Sequence, residues 1–188
     1  VTGADDDIID GTITSTITVS VNDGSSDNNF DSVSDQTVSV STTDDDVAGF
    51  TVAETDSSTS VSESGSTDTF TVVLDAQPNS PVVIALTSSD SGEATSNSPL
   101  TFTSTNWDTP QTVTVTGVDD DIIDGSVSST LTITIVDANS DDDFDAVADQ
   151  TVSVTTTDDD VAGFTIAETD SSTSVGESGT TDTFTVVL

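Results

Sequence analysis

The chain contains no lysine, arginine or histidine, and no cysteine, methionine or tyrosine. Against 36 acidic side chains stands no basic one, which gives a formal charge of −36 over 188 residues. Nothing in it can meet a phosphate, so nucleic acid is excluded as a partner, and anionic membrane surfaces are excluded for the same reason. Without cysteine no disulfide staples the fold, and the redox compartment is not legible. Without lysine, Lys–Asn isopeptide cross-links are impossible. The absence of histidine, cysteine and lysine removes the usual general bases, nucleophiles and Schiff-base formers. Only a carboxylate pair of the glycosidase type is left. A domain-sized sandwich with its acids at the poles offers no groove for that chemistry, so no enzymatic activity is expected. The sequence has no signal-peptide pattern and no apolar run of about 18 residues. It has no Asn-x-Ser/Thr sequon, while abundant serine and threonine leave O-glycosylation open.

The acids that are present are unevenly chosen. Aspartate supplies 31 and glutamate five. Aspartate is short, favours turns and suits loops that wrap an ion. Runs of three aspartates at Asp5–Asp7 and Asp44–Asp46 recur 114 residues later at Asp119–Asp121 and Asp158–Asp160. Residues 1–74 align with 115–188 at that offset without a gap, and 55 of the 74 positions are identical. The chain is a tandem repeat. Low hydrophobicity with high charge ordinarily signals disorder. Alternating apolar patterns oppose that reading, so order that depends on a cation is expected.

Strand signals dominate. Thr69–Leu74, Val82–Leu86, Thr112–Val118, Ser129–Val136 and Thr151–Thr155 are rich in Val, Ile and Thr, and most alternate with period two. Clusters of Gly, Pro, Asn, Asp and Ser separate them at the spacing of an all-β sandwich. A repeat of this length is too long for a solenoid turn and matches an immunoglobulin-sized domain. The expected fold is therefore all-β: tandem seven-stranded immunoglobulin-like Greek-key sandwiches. Residues 47–160 are read as one complete repeat. Its strands are A at Phe50–Glu54 with a continuation near Val61, B, C, D at Leu100–Thr103, E, F and G. Residues 1–46 are read as strands E to G of a preceding repeat, and 161–188 as strands A and B of a following one. Phe50, Phe70, Phe102, Phe144 and Trp107 are the expected bulky anchors, with Trp107 plugging one end.

In such a Greek key the A–B, C–D and E–F turns share a pole with the end of strand G. That pole collects Glu63, Asp90, Asp119, Asp120, Asp121, Asp124, Asp158, Asp159 and Asp160. Groups so far apart in sequence, meeting without a counter-charge, point to Ca²⁺, which takes 6–8 oxygens at about 2.3–2.6 Å. The equivalent ligands of the flanking repeats are Asp5, Asp6, Asp7, Asp10, Asp44, Asp45 and Asp46 on one side and Glu177 on the other.

The order of these motifs resembles the Calx-β family. It runs Glu63 to Gly65 after strand A, Thr87 to Asp90 after C, Asp119 to Asp124 after E, and Asp158 to Phe164 after G. The resemblance covers the whole of 47–160. It implies a seven-stranded sandwich binding calcium at that pole, with ligands on Glu63, Asp90, Asp119, Asp120, Asp124 and Asp158 to Asp160, and the Ile122 carbonyl as a further donor. Family members occur in sodium–calcium exchangers, integrin β4 and long bacterial surface proteins. One departure is an E–F turn poorer in glutamate than the exchanger's. The stretch 106–120 is closer to the bacterial surface proteins.

A second acidic set lies in the F–G turn, where Asp137, Asn139, Asp141, Asp143 and Asp145 alternate. Alternate oxygen ligands suggest an ion-binding loop, but the glycine and glutamate of an EF-hand are missing. This turn should face the preceding repeat's Asp44–Asp46. Taken together, the sequence points to a calcium-stiffened structural repeat of an extracellular, cell-surface filament, surface layer or adhesin stalk, whose partners are neighbouring repeats. The alternatives are an adhesion module binding a receptor or glycan, for which Trp107 is the one candidate aromatic, and a calcium-sensing regulatory domain.

Overall fold

A computed structural model describes residues 1–188. Thirteen strands follow one another, with four short 3₁₀ turns and no α-helix. They are β1 (Ile13–Val19), β2 (Gln36–Thr42), β3 (Phe50–Glu54), β4 (Thr59–Ser62), β5 (Thr67–Leu74), β6 (Val82–Ser88) and β7 (Ala94–Ser96). β8 (Leu100–Phe102), β9 (Gln111–Gly117), β10 (Val127–Ile135), β11 (Gln150–Thr157), β12 (Thr165–Glu168) and β13 (Phe184–Val187) complete the set.

The central strands form an immunoglobulin-like sandwich. One sheet has the order β3-β5-β9-β7 and the other β4-β11-β10-β6-β8. Strand A is split between them. β3 pairs antiparallel with β5, and after a turn β4 joins the opposite sheet parallel to β11. Strand D is split as well: β7 pairs with β9 and β8 with β6. The sequence reading foresaw only the β8 half. Three residues, Ala-Thr-Ser, carry no alternation, so β7 leaves no periodic signal. Where the chain crosses between sheets, side chains replace the missing ladder bonds. Asn97 accepts the Thr114 amide at 2.6 Å and the Ser98 hydroxyl accepts the Leu86 amide at 3.0 Å.

Period-two sequences put Val, Ile, Leu and Phe on the facing sides of the two sheets. The resulting core contains Phe50, Phe70, Phe102 and Phe144 among aliphatic residues drawn entirely from positions 50–154. Trp107 is half-buried against this core, and its carbonyl accepts the Leu74 amide at 3.1 Å.

The flanking segments repeat the same pairing without the opposing sheet. The β1–β2 ribbon runs from Ile13↔Thr42 to Val19↔Gln36, the register of Val127↔Thr156 to Ile133↔Gln150 in β10–β11. β12–β13 likewise copies β3–β5. Register is thus local, whereas burial is not: Phe144 is 0% exposed and its copy Phe30 is 56% exposed.

The first ribbon meets the sandwich through the loop before β1. The Gln77 amide donates to the Asp7 carbonyl at 2.7 Å, Ile8 and Gln77 form a parallel bridge, and Ile9 packs against the core beside Ala48 and Val147.

This difference in burial predicts unequal costs for one substitution. Phe144→Ala should destabilise by about 3–5 kcal/mol, the usual cost of emptying a buried phenylalanine site. Phe30→Ala, at the same place in the repeat, should stay within about 0.5 kcal/mol. Urea titrations followed by Trp107 fluorescence check both; equal shifts would contradict the asymmetry.

Candidate metal centre

The site is built where four chain segments end at one pole. β4 runs parallel to β11 up to Ser62↔Thr157, and the Glu63 amide donates to the Thr157 carbonyl at 3.1 Å. A tight turn follows, closed by the Gly65 amide on the Ser62 carbonyl, with Gly65 at φ +82°. Glycine adopts that left-handed conformation without the steric cost of a Cβ. Glu63 is thereby held inward beside the end of strand G. Gly117, at the end of β9, lies against the Ser62 backbone so closely that an added Cβ would sit 2.0 Å from the Ser62 oxygen. The A–B turn and the start of the E–F loop can touch only because residue 117 has no side chain.

Glu93 enters from the C–D turn. Its carbonyl accepts the Val118 amide at 2.9 Å and the Thr156 hydroxyl at 3.3 Å, which ties this turn to both E–F and G. Carboxylate oxygens of Glu63, Glu93 and Asp120 lie within 4.8 Å of one another, and so do those of Glu63, Asp158 and Asp160. Glu63 belongs to both groups. It is only 1% exposed, yet neither of its carboxylate oxygens has a hydrogen-bond partner. Glu93 Oε2 and Asp160 Oδ2 are buried and unpartnered too.

Burial followed by the charges of Asp158, Asp120 and Asp124 pushes the Glu63 carboxyl above the usual range, against a smaller opposite pull from the nearby Asp159 amide. Glu93 is raised by burial and then by Asp124, Asp90, Asp120 and Asp158. Asp160 is raised by burial and then by Asp158, Asp121, Asp159 and Asp119. Asp158 moves the other way, because the Gly125 and Asp160 amides donate to it at 2.8 and 2.7 Å. Buried carboxylates without donors are costly, and a cation is the ordinary remedy. The donor set is all oxygen, which suits a hard ion such as Ca²⁺ and not a thiolate- or imidazole-seeking metal. The residues present therefore fit calcium.

The sequence reading placed Asp90 in the cluster. Here Asp90 is exposed, with Oδ1 accepting the Gly92 amide at 3.0 Å, and the C–D turn sends Glu93 inward instead. Glu93 was missed. The available signal was its type: among acids that are nearly all aspartate, a glutamate marks a place needing a longer reach. Asp119, Asp121 and Asp159 are exposed around the rim, and Asp124 acts on Glu63 and Glu93 through its charge. Asp120 Oδ1 accepts the Ile122 amide at 2.6 Å, and the Ile122 side chain is exposed.

In the first ribbon Asp5, Asp6, Asp10 and Asp44–Asp46 line one open cleft. Asp44 copies Asp158 by accepting the Gly11 and Asp46 amides, and these bonds hold it below the usual range. Asp46 is raised by burial and then by Asp44, Asp45, Asp7 and Asp5. The Asp7 carbonyl is spent on Gln77. Glu177 lies exposed between β12 and β13.

The F–G acids form no comparable group. Asp137–Asn139 and Asp142–Phe144 are 3₁₀ turns. Asp141 is buried and accepts the Ser80 amide at 2.6 Å and the Asp143 amide at 3.2 Å, so it caps backbone. Asp145 is raised by burial and then by Asp137, Asp142 and Asp141. Asp143 and Asp46 line one cleft with Ile9, Val47 and Val147, so the F–G turn does face the preceding triplet.

The geometry defines an immunoglobulin-like sandwich with an acidic pole. No family model matches the chain. No curated protein matches it either. Several solved structures are similar in fold. The apo form of Calx CBD1 has a TM-score of 0.41 and 13% identity, with 59% of this chain and 98% of that one covered. The surface layer protein SbsC, domains 1–6, has a TM-score of 0.42 and 18% identity, covering 93% of this chain and 25% of that one. A GH5 xyloglucanase from Bacteroides ovatus has a TM-score of 0.38 and 17% identity, with 57% of this chain matched to 18% of the enzyme. The chain thus spans a small part of the larger proteins it is similar to, and at these scores the likenesses assign neither family nor activity.

The pKa shifts predict the pH response of the metal-free protein. Carboxyls raised in the fold, such as Glu63, Glu93 and Asp160, stabilise it when protonated, and this stability is lost as pH rises through their folded values. Asp44, Asp158 and Asp182 are lowered, and their stability is lost only below the ordinary range near about pH 4. In chelator, the melting temperature should rise as pH falls from neutral toward the ordinary carboxylate range, then turn over below about 4. Scanning calorimetry across that range checks the sign. Gly117→Ala should separate the A–B and E–F turns and lower the melting temperature at every pH.

Proposed function

We propose that this chain is a segment of an extracellular structural protein built from tandem sandwiches, each stiffened by calcium at its acidic pole. Residues 47–160 are one complete repeat, with parts of its neighbours at 1–46 and 161–188. The observation that carries the reading is Glu63. A carboxylate buried beside Glu93, Asp120, Asp158 and Asp160 makes no well-formed hydrogen bond on either oxygen, in a chain with no cationic side chain to offer one. Calcium held there would join the A–B turn, C–D turn, E–F loop and the end of strand G. The last of these leads directly into the next repeat.

Near-identical repeats suit a spacer, because a specific binding site tends to diverge from its neighbours. Strands of this length give roughly 40 Å of reach per repeat at about 3.3 Å per residue plus turns. Placement at a cell surface, as a filament, surface layer or adhesin stalk, follows from that role. Trp107, the aromatic on which receptor or glycan binding would rest, is half-buried against the core, which favours the spacer over the adhesion module.

Isothermal titration with Ca²⁺, and melting temperatures with calcium or chelator, test the proposal. Calcium at about 100 times its dissociation constant should stabilise the fold by about 2.7 kcal/mol. Glu63→Gln should act with opposite signs in the two conditions. It should raise the melting temperature in chelator by removing a buried uncompensated charge, and abolish most of the gain from calcium. No heat of binding, or an unchanged calcium response in Glu63→Gln, would refute the site.

A further inference from the structure

The loops Asp5–Asp10 and Asp119–Asp124 have the same sequence, Asp-Asp-Asp-Ile-Ile-Asp, and different surroundings. In the first copy both isoleucines are half-buried. Ile8 bridges Gln77, Ile9 packs against the sandwich core beside Ala48 and Val147, and the Asn79 side-chain amide reaches the Ile9 carbonyl at 3.4 Å. In the second copy Ile122 and Ile123 are 61% and 56% exposed, side by side on an otherwise acidic pole. We propose that Ile122–Ile123 is a docking surface for another copy of the repeat unit, which receives it on its own counterparts of Gln77, Ala48 and Val147.

The first copy shows how such a clasp is made. The receiving turn is braced from within its own repeat: the Asp75 amide donates to the Gly49 carbonyl at 2.9 Å, and the Thr51 hydroxyl donates to Asp75 at 2.8 Å. This fixes the position of Gln77, whose backbone amide takes the Asp7 carbonyl at 2.7 Å. Ile9 there lines a cleft with Val47, Ala48, Ala146 and Val147, flanked by Asp46 and Asp143. The loop is two-sided. Its aspartates face the acidic cleft of their own repeat, and its isoleucines and the Asp7 carbonyl serve the next one. The exposed pair is identical in sequence to the pair that already meets a partner in the same chain.

The partner must be a repeat whose counterpart of Gln77 is free, since Gln77 itself already pairs with Asp7 and Ile9 already packs on 47–160. A further tandem repeat meets that condition. The contact is apolar packing and backbone hydrogen bonding, so it rests on the tandem-repeat reading but not on bound metal.

Extending the chain past Leu188 with residues 75–160 continues the 114-residue register and supplies such a repeat. Hydrogen exchange is then followed at the added counterpart of Gln77, with calcium and with chelator. The amide should be protected in the parent and exchange at least about tenfold faster in Ile122→Ser/Ile123→Ser, while Gln77 itself is unchanged. In the unextended chain, Ile8→Ser/Ile9→Ser should release Gln77 in the same way. Exchange that is unprotected in the parent, or unaltered by the isoleucine substitutions, overturns the clasp. Loss of protection in chelator with no effect of the substitutions overturns it too, and leaves the calcium reading standing. Sensitivity to the isoleucines in calcium supports the clasp whatever the chelator does.

Discussion

Repulsion among carboxylates that have no internal counter-charge is the constraint on which this structure turns. The chain answers it in part with the one positive element it possesses, the backbone amide. Asp158 takes the Gly125 amide, Asp44 that of Gly11, Asp141 that of Ser80, Asp68 that of Ser60 and Asp182 that of Ser174. Each bond settles an acid at a turn and organises that turn at the same time. Aspartate can do this because its carboxylate reaches an amide one or two residues away, or across a strand end. Both oxygens of Glu63, Oε2 of Glu93 and Oδ2 of Asp160 are left over, buried without a partner. The polar end of the sandwich therefore separates into acids that hold the loops in place and acids held by those loops without partners. The second set is where an external cation has most to offer.

The same constraint explains why the acids sit at strand ends. Both faces of the central strands are given to Val, Ile, Thr and Ser, so no like charges oppose each other across the sheets. Charge is concentrated at the turns, where neighbouring repeats also meet. A single loop, Asp5–Asp10, serves the acidic cleft of its own repeat and the apolar contact with the next. The acidic cleft and the apolar contact thus share the conformation of one loop.

Much of the fold was legible in the sequence. Period-two patterns located the strands of the central repeat, and the four buried phenylalanines were identified as anchors. The two-sheet Greek-key arrangement is the all-β sandwich the pattern called for. The unread parts have a common cause. β7 is too short to show a period, and β4 was visible only as a continuation near Val61, because its parallel partner β11 lies far away in sequence. At the site, the pole on which the acids gather followed from topology. Its membership did not: Asp90 turns out to satisfy its own loop, while Glu93, three residues beyond Asp90, points inward. Which of two nearby acids faces the interior depends on the path of a turn, and that path is set by Val118 and Thr156 bonding to the Glu93 carbonyl.

The repeat itself separates the two levels of information. Identical or near-identical sequence gives identical strand pairing and identical loop bonds: β1–β2 has the register of β10–β11, and Asp44 grips Gly11 as Asp158 grips Gly125. These features depend on contacts within one hairpin, so the local sequence by itself determined them. Burial was decided only in the tertiary structure. Phe30 and Phe144, or Ile9 and Ile123, are the same residues in the same repeat position and meet solvent or protein according to what lies opposite. The perturbed carboxyls follow the same rule, since Glu63 is buried and surrounded by other acids while its copy Glu177 is exposed. Hydrogen-bonded register is a short-range property of the chain, whereas desolvation requires a second surface that only the assembled sandwich provides.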